Sequence, residues 1–256
     1  MSKFLSLLLA LSIVFSVGCA TAPQLSPSQK EVHRYAIERI SKVEIFYHPA
    51  EYSVVDLGGS KASQMAGVFG LFGMFAILAA EAGSKLTAVE RTEARSEEFD
   101  QLIQADKIAD IHLAQAQRLA ALIQGTGREV KLTKIERPSG GKSLAVSTQP
   151  KLDFTEGYAP LLLRVTTGYG AESATASYKS IALTEFALFD AGSHKQVLVT
   201  AQLKKRDNGV TYQTFDGLKS SRALAVESLQ RDLGEAAQLV FNATFAPMEV
   251  PTSVKK

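Results

Sequence analysis

One cysteine, Cys19, and no tryptophan occur among 256 residues. A lone thiol excludes an intramolecular disulfide and any cysteine-built zinc or iron–sulfur centre. Without tryptophan, and with tyrosine and phenylalanine scattered, no aromatic platform for a sugar stands out. Charge of one sign is not concentrated either. The 28 basic and 26 acidic residues give a net charge of +2, and no block of five like charges occurs. Nucleic-acid binding, which calls for a basic stripe, has no footing in such a balance. What is present is globular composition, 46% hydrophobic and 21% charged, in a chain long enough for one or two domains with real cores.

The cysteine has a position that explains it. Residues 1–19 read MSKFLSLLLALSIVFSVGC: Lys3, an apolar run from Phe4 to Phe15, then Ser16-Val17-Gly18-Cys19. The run has the length of a signal-peptide core and is short for a membrane span. Ser-Val-Gly-Cys resembles the lipobox of bacterial lipoproteins, with Ser16 where that family prefers an aliphatic residue. The resemblance implies that residues 1–18 are cleaved and that Cys19 carries diacylglycerol and a further acyl chain such as palmitate. Loss of Lys3 leaves the mature chain near +1 (27 minus 26). Each buried methylene contributes about 0.8 kcal/mol, so two or three chains anchor firmly where one does not. Ala20 rather than Asp follows the cysteine, which by the same resemblance implies the outer membrane, facing the periplasm. Residues 19–29, with two prolines, read as a tether.

The rest, 30–248, reads as a single α+β domain, with a subdivision near 138–158 left open and 249–256 as a tail. Ser28 and Glu31 have capping-box spacing for a short helix to Ile40. Strands are predicted at 42–47 and 51–57 around His48-Pro49, helix through most of 87–124 and a strand in REVKLTKIE. Four strand-like runs follow: PLLLRVTTGY, SIALTEFALFD, KQVLVTAQLKK and VTYQTF, with turns at Asp190–Ser193 and Asn208-Gly209. In the third run Val197, Val199, Ala201 and Leu203 alternate with polar residues, as in a half-buried strand. Leu229, Leu233, Ala236, Ala237 and Val240 share one face of a closing amphipathic helix, away from Glu227, Arg231 and Glu235. Helices packed on a mixed or antiparallel sheet are the predicted architecture.

An apolar, glycine-rich helix is predicted between Lys61 and Glu81, where nineteen residues carry no charge. As a helix they would span roughly 28 Å, just short of a hydrocarbon core. Nine of them are Ala, Gly or Ser, which insert poorly. Gly67, Gly70 and Gly73 fall on one side, a smooth surface for helix packing or membrane contact. A helix buried in its own domain, a self-association or partner surface, and a membrane-inserted element all remain open, as does the lining of an apolar-ligand pocket.

No catalytic constellation is recognised. PSGGKS lacks the phosphate-loop glycine, Glu136 standing in its place, and Gly168-Tyr169-Gly170 is followed by Ser173 where a dinucleotide fingerprint needs glycine. Asp106, Asp110 and His112 could be drawn as metal ligands. On one continuous helix, however, His112 points about 160° from Asp110, so they read as solvated polar positions, and no metal or cofactor is called. His48, before Pro49, reads as a turn residue. The sequence therefore points to a membrane-anchored accessory or protein-binding lipoprotein, with an envelope protein or its own copies as partner. An oligomeric pore or ring built from 62–82 is the rival. The body loosely resembles uncharacterised envelope lipoproteins, and its last 80 or so residues resemble auxiliary lipoproteins of envelope transport systems. Neither likeness carries a functional residue over.

Overall fold

The computed structural model describes residues 34–56, 86–137, 152–171, 175–205 and 209–246. Cys19, Gly67, Gly70 and Gly73, the 61–82 helix and the Asn208-Gly209 turn are sequence expectations that lie outside these residues or across their boundary. The chain divides into Met1–Tyr35 and a compact unit, Ala36–Lys256.

The compact unit is α+β, built on a mixed six-stranded sheet. Its strands are β1 (Lys42–Tyr47), β2 (Tyr52–Asp56), β3 (Glu129–Lys134), β4 (Ala159–Ala171), β5 (Lys179–Phe189) and β6 (Gln196–Lys205). Its helices are α1 (Leu86–Ala105), α2 (Ile111–Gln124), α3 (Phe215–Ser220) and α4 (Arg222–Thr244). Spatial order is β3-β1-β4-β5-β6, and β2 also pairs with β4. The β3, β1, β2 and β4 pairings are parallel, which demands crossovers through helices, and β4-β5-β6 is an antiparallel meander.

β1 and β2 form one broken line beside β4. β1 pairs Val43–Phe46 with Ala159–Leu162, and β2 pairs Tyr52–Asp56 with Thr167–Ala171. The break falls at His48-Pro49, as the proline anticipates. At Gly168 a side chain is barred outright: a Cβ would stand 1.9 Å from the Ser53 carbonyl oxygen.

The long helices pack on the sheet face that carries Val43, Ile45, Leu161, Leu163, Val165, Phe186 and Leu188. They contribute Phe99, Ile103, Leu119, Ile123, Leu229, Leu233 and Val240 to the core. The alternate residues Phe46, Leu162, Ala187 and Phe189 form a second cluster on the other face, with Ile135, Leu152 and Phe154 against it.

Two sequence expectations fail here. VTYQTF is not a strand: only Tyr212 makes a bridge, to Tyr178. Thr214 then accepts the Gly217 N–H and starts α3, a cap that outweighs β-propensity. In β6 the pairing slips next to Leu188/Phe189. Val197 consequently lies in the helix-covered core, while Val199 is 46% exposed; the bulge shifts the phase of the alternation.

Candidate functional site

The chemistry of the described residues converges on the gap between β1 and β2. Between the two parallel ladders β4 has no strand partner on its β1/β2 side, and side chains stand in. The Val165 N–H donates to Nε2 of His48 at 3.0 Å. The proton of the neutral ring therefore sits on Nδ1, 2.9 Å from the Pro49 carbonyl. His48 is fully buried. Its ring meets that of His112 edge to face, with centroids 4.9 Å apart.

His112 reaches the gap from the first turn of α2. Nδ1 lies 3.3 Å from the His48 carbonyl and Nε2 3.1 Å from Thr167 Oγ1. The Thr167 hydroxyl in turn donates to the Glu51 carbonyl at 3.2 Å. Burial, with Arg137 adding, pushes His48 down to about 4. Burial, then the neighbouring His48 and Arg137, pushes His112 to about 3. Both rings are neutral at pH 7, buried where a charge is disfavoured.

Asp110 ties the gap to the helices. As N-cap of α2 it accepts from the His112 and Leu113 N–H groups at 2.9 and 3.1 Å, and from the Ala50 N–H at 3.2 Å. α1 holds the far edge of β2: Tyr52 N–H donates to Asp100 at 3.0 Å and Val54 N–H to Ser96 at 2.9 Å. Burial raises the Asp100 carboxyl to about 6, against the lowering effect of the Tyr52 N–H.

Above the gap lies an open cleft of about 500 Å³ lined by Pro49, Glu51, Lys134, Ile135, Glu136 and Arg137. Arg137 donates to Thr166 at 2.8 Å and lies 3.6 Å from Glu51. The lining carries two cations, Lys134 and Arg137, and two anions, Glu51 and Glu136. The imidazoles are not in its lining. They act as struts, holding a β4 N–H and the strand break, with no polar atom turned to the cleft for acid–base work.

A second open groove, of about 480 Å³, runs between α2 and α4. Its lining is Arg118, Glu227, Gln230, Arg231, Gly234 and Glu235, the solvent face predicted for the closing helix. On the sheet face away from the helices, Arg164 grips Glu185 with two bonds of 2.6 Å.

The metal drawing is dissolved by geometry. Asp110 caps α2 instead of sharing a face with Asp106, because the helix breaks at 106–110. Lys107 takes a left-handed φ of 55° there. Asp106 pairs with Arg222 at 2.7 Å. His112 is buried, not solvated, because helix phase restarts at Asp110 and turns it inward. His48 is likewise no exposed turn residue. No group of histidine, cysteine and carboxylate side chains among the described residues could hold a metal ion. What sequence reading missed was the histidine pair itself. Only the interruption at His48-Pro49 hinted that a side chain would replace main-chain pairing.

No family model matches the sequence, and no curated protein matches it significantly. Among solved structures the chain is similar to one described as a neuraminyllactose-binding hemagglutinin homolog from Helicobacter pylori. Identity is 7%, 80% of this chain and 86% of that chain are covered, and the TM-score is 0.28. A likeness at that level carries no argument about fold or activity.

Proposed function

We propose that the chain is an envelope lipoprotein: residues 1–18 are removed, Cys19 is acylated, and the α+β unit is displayed in the periplasm from the outer membrane as an accessory, protein-binding module. The observation that carries this reading is the place of the only cysteine, at the end of an apolar run and ahead of the compact unit that begins at Ala36. The chemistry of the unit supports a contact role. Four of its buried polar groups, His48, His112, Glu44 and Arg164, are engaged in bonds between strands or between strand and helix. That is the use of such groups in a scaffold.

The test is labelling of cells with radioactive palmitate. Label on the wild type and none on Cys19→Ser is the expected result; an unlabelled wild type overturns the reading. A lipid-free Cys19→Ser protein, exported behind a cleavable signal, should leave membranes on an alkaline carbonate wash. If it stays, residues 62–82 are a second membrane element and the pore or ring reading replaces this one. Among the described residues no helix is long and apolar enough to cross a membrane.

A further inference from the structure

At three places among the described residues the sheet presents an edge with no strand beyond it: β3, β2 and β6. Unpaired edges invite other strands, and proteins protect them with charge, bulges or cover. The edge of β2 is covered, its Tyr52 and Val54 N–H groups taken by Asp100 and Ser96 of α1. β3 is short and charged. Within six residues it carries Glu129, Lys131 and Lys134, with Lys42 on Glu129 at 2.9 Å and Lys131 on Glu44 at 3.1 Å.

Among the described residues β6 has neither protection along most of its length. From Gln196 to Leu203 runs an uncharged segment without proline or glycine. Past the slip next to Leu188/Phe189 its pairing with β5 is regular to Lys205. The N–H and C=O groups not bonded to β5 therefore face outward in a regular row. Val199, in this segment, is exposed. Charge returns only at the ends, and at the strand's own ends it is basic: Lys195 just before it and Lys204 and Lys205 at its close, with Arg206 and Asp207 following in the sequence.

We propose that the β6 edge takes up an extended segment of a partner protein as a seventh strand, and that this segment is uncharged and β-branched in its middle and acidic at its ends. The proposal rests on the reading of the chain as a protein-binding module and names the surface and the partner's chemistry. Main-chain bonds supply affinity in strand addition, and side chains supply selectivity. Complementary charge at the two ends fixes the register. A second copy fits less well, since antiparallel pairing of β6 with itself about Thr200 sets Lys195 opposite Lys205, and like charges placed so repel.

The experiment uses the lipid-free Cys19→Ser protein, isotope-labelled for amide spectra. It is titrated with a short peptide of alternating valine and threonine flanked by glutamates, and with the same core flanked by lysines. Expected are shifts of the 196–205 amides, at least tenfold tighter binding of the glutamate-flanked peptide, and at least tenfold weakening by Val199→Lys. N-methylation of alternate peptide residues should abolish binding in one of its two phases. Shifts at 129–134 instead, equal affinity for both peptides, insensitivity to N-methylation, or no binding overturns the proposal. Palmitate labelling is indifferent to all of these outcomes, so a failure here and a failure of the lipoprotein reading are told apart.

Discussion

β4 has two sides that are held in different ways. Toward β5 it runs an unbroken antiparallel ladder from Leu161 to Gly170. Toward β1 and β2 it pairs in two short parallel pieces, bridged by an imidazole and a threonine hydroxyl. A main-chain ladder asks little of its side chains, because the bonding groups are common to every residue. A gap closed by side chains asks for particular ones. Mutational sensitivity should accordingly concentrate on the β1/β2 side of β4, although the β5 side makes more bonds.

The largest effect is expected at Gly168. Gly168→Ala drives a methyl group into the Ser53 backbone, which side-chain adjustment cannot relieve. A loss of about 3 kcal/mol or more is expected in urea unfolding, the high end for overpacking. A loss below about 1 kcal/mol would mean that β2 can lift away freely, and the contrast between the two sides would fall.

His48→Leu should come next. It fills the space but leaves the buried Val165 N–H without an acceptor, a loss of about 1–3 kcal/mol. Hydrogen exchange at Val165 should quicken while that of β5 amides stays slow relative to global stability.

The same residue gives a pH dependence. Its folded-state value, about 4, lies below the ordinary 6.5, so the unfolded chain takes up the proton first. The native state keeps its full advantage above pH 6.5 and loses it as pH falls toward 4, by an amount on the order of a kilocalorie or more. His48→Leu should flatten part of that slope; an unchanged slope would assign it to other groups, His112 first.

The smallest effect is expected on the β5 side. Arg164→Met alone strands the Glu185 carboxylate, which is 26% exposed, and should cost about 1–2 kcal/mol. The double change with Glu185→Leu should recover most of that, because a buried pair replaced whole is often near neutral. A double variant as damaged as Gly168→Ala would erase the distinction.

Much of this frame was readable from the residues alone. The strands around His48-Pro49 and the run of β4 and β5 follow from alternation and composition. The Asp190 turn follows from a side chain that accepts from the Gly192 and Ser193 N–H groups. The face of α4 follows from 3.6-residue spacing: Leu229, Leu233, Ala236, Ala237 and Val240 are all fully buried. What escaped reading depended on events that no local pattern records. His112 turns inward because Asp110 restarts the helix. Val199 turns outward because β6 slips by a residue against β5. The gap site escaped most fully, since His48, His112 and Thr167 are brought together from three distant stretches by pairings that periodicity does not specify.

The broken line beside β4 also sets an order in time. The β4-β5-β6 meander joins stretches that follow one another in the chain, whereas β1 must find partners at 129–134 and 159–162. Closing such wide loops is slow, and it is rewarded only once a template exists. The meander is therefore expected to act as the template, with β1 and β2 docking late. Substitutions in β5 should slow refolding, while those at His48 and Gly168 should chiefly speed unfolding. The element on which the fold most depends for its finish would then be the one it acquires last.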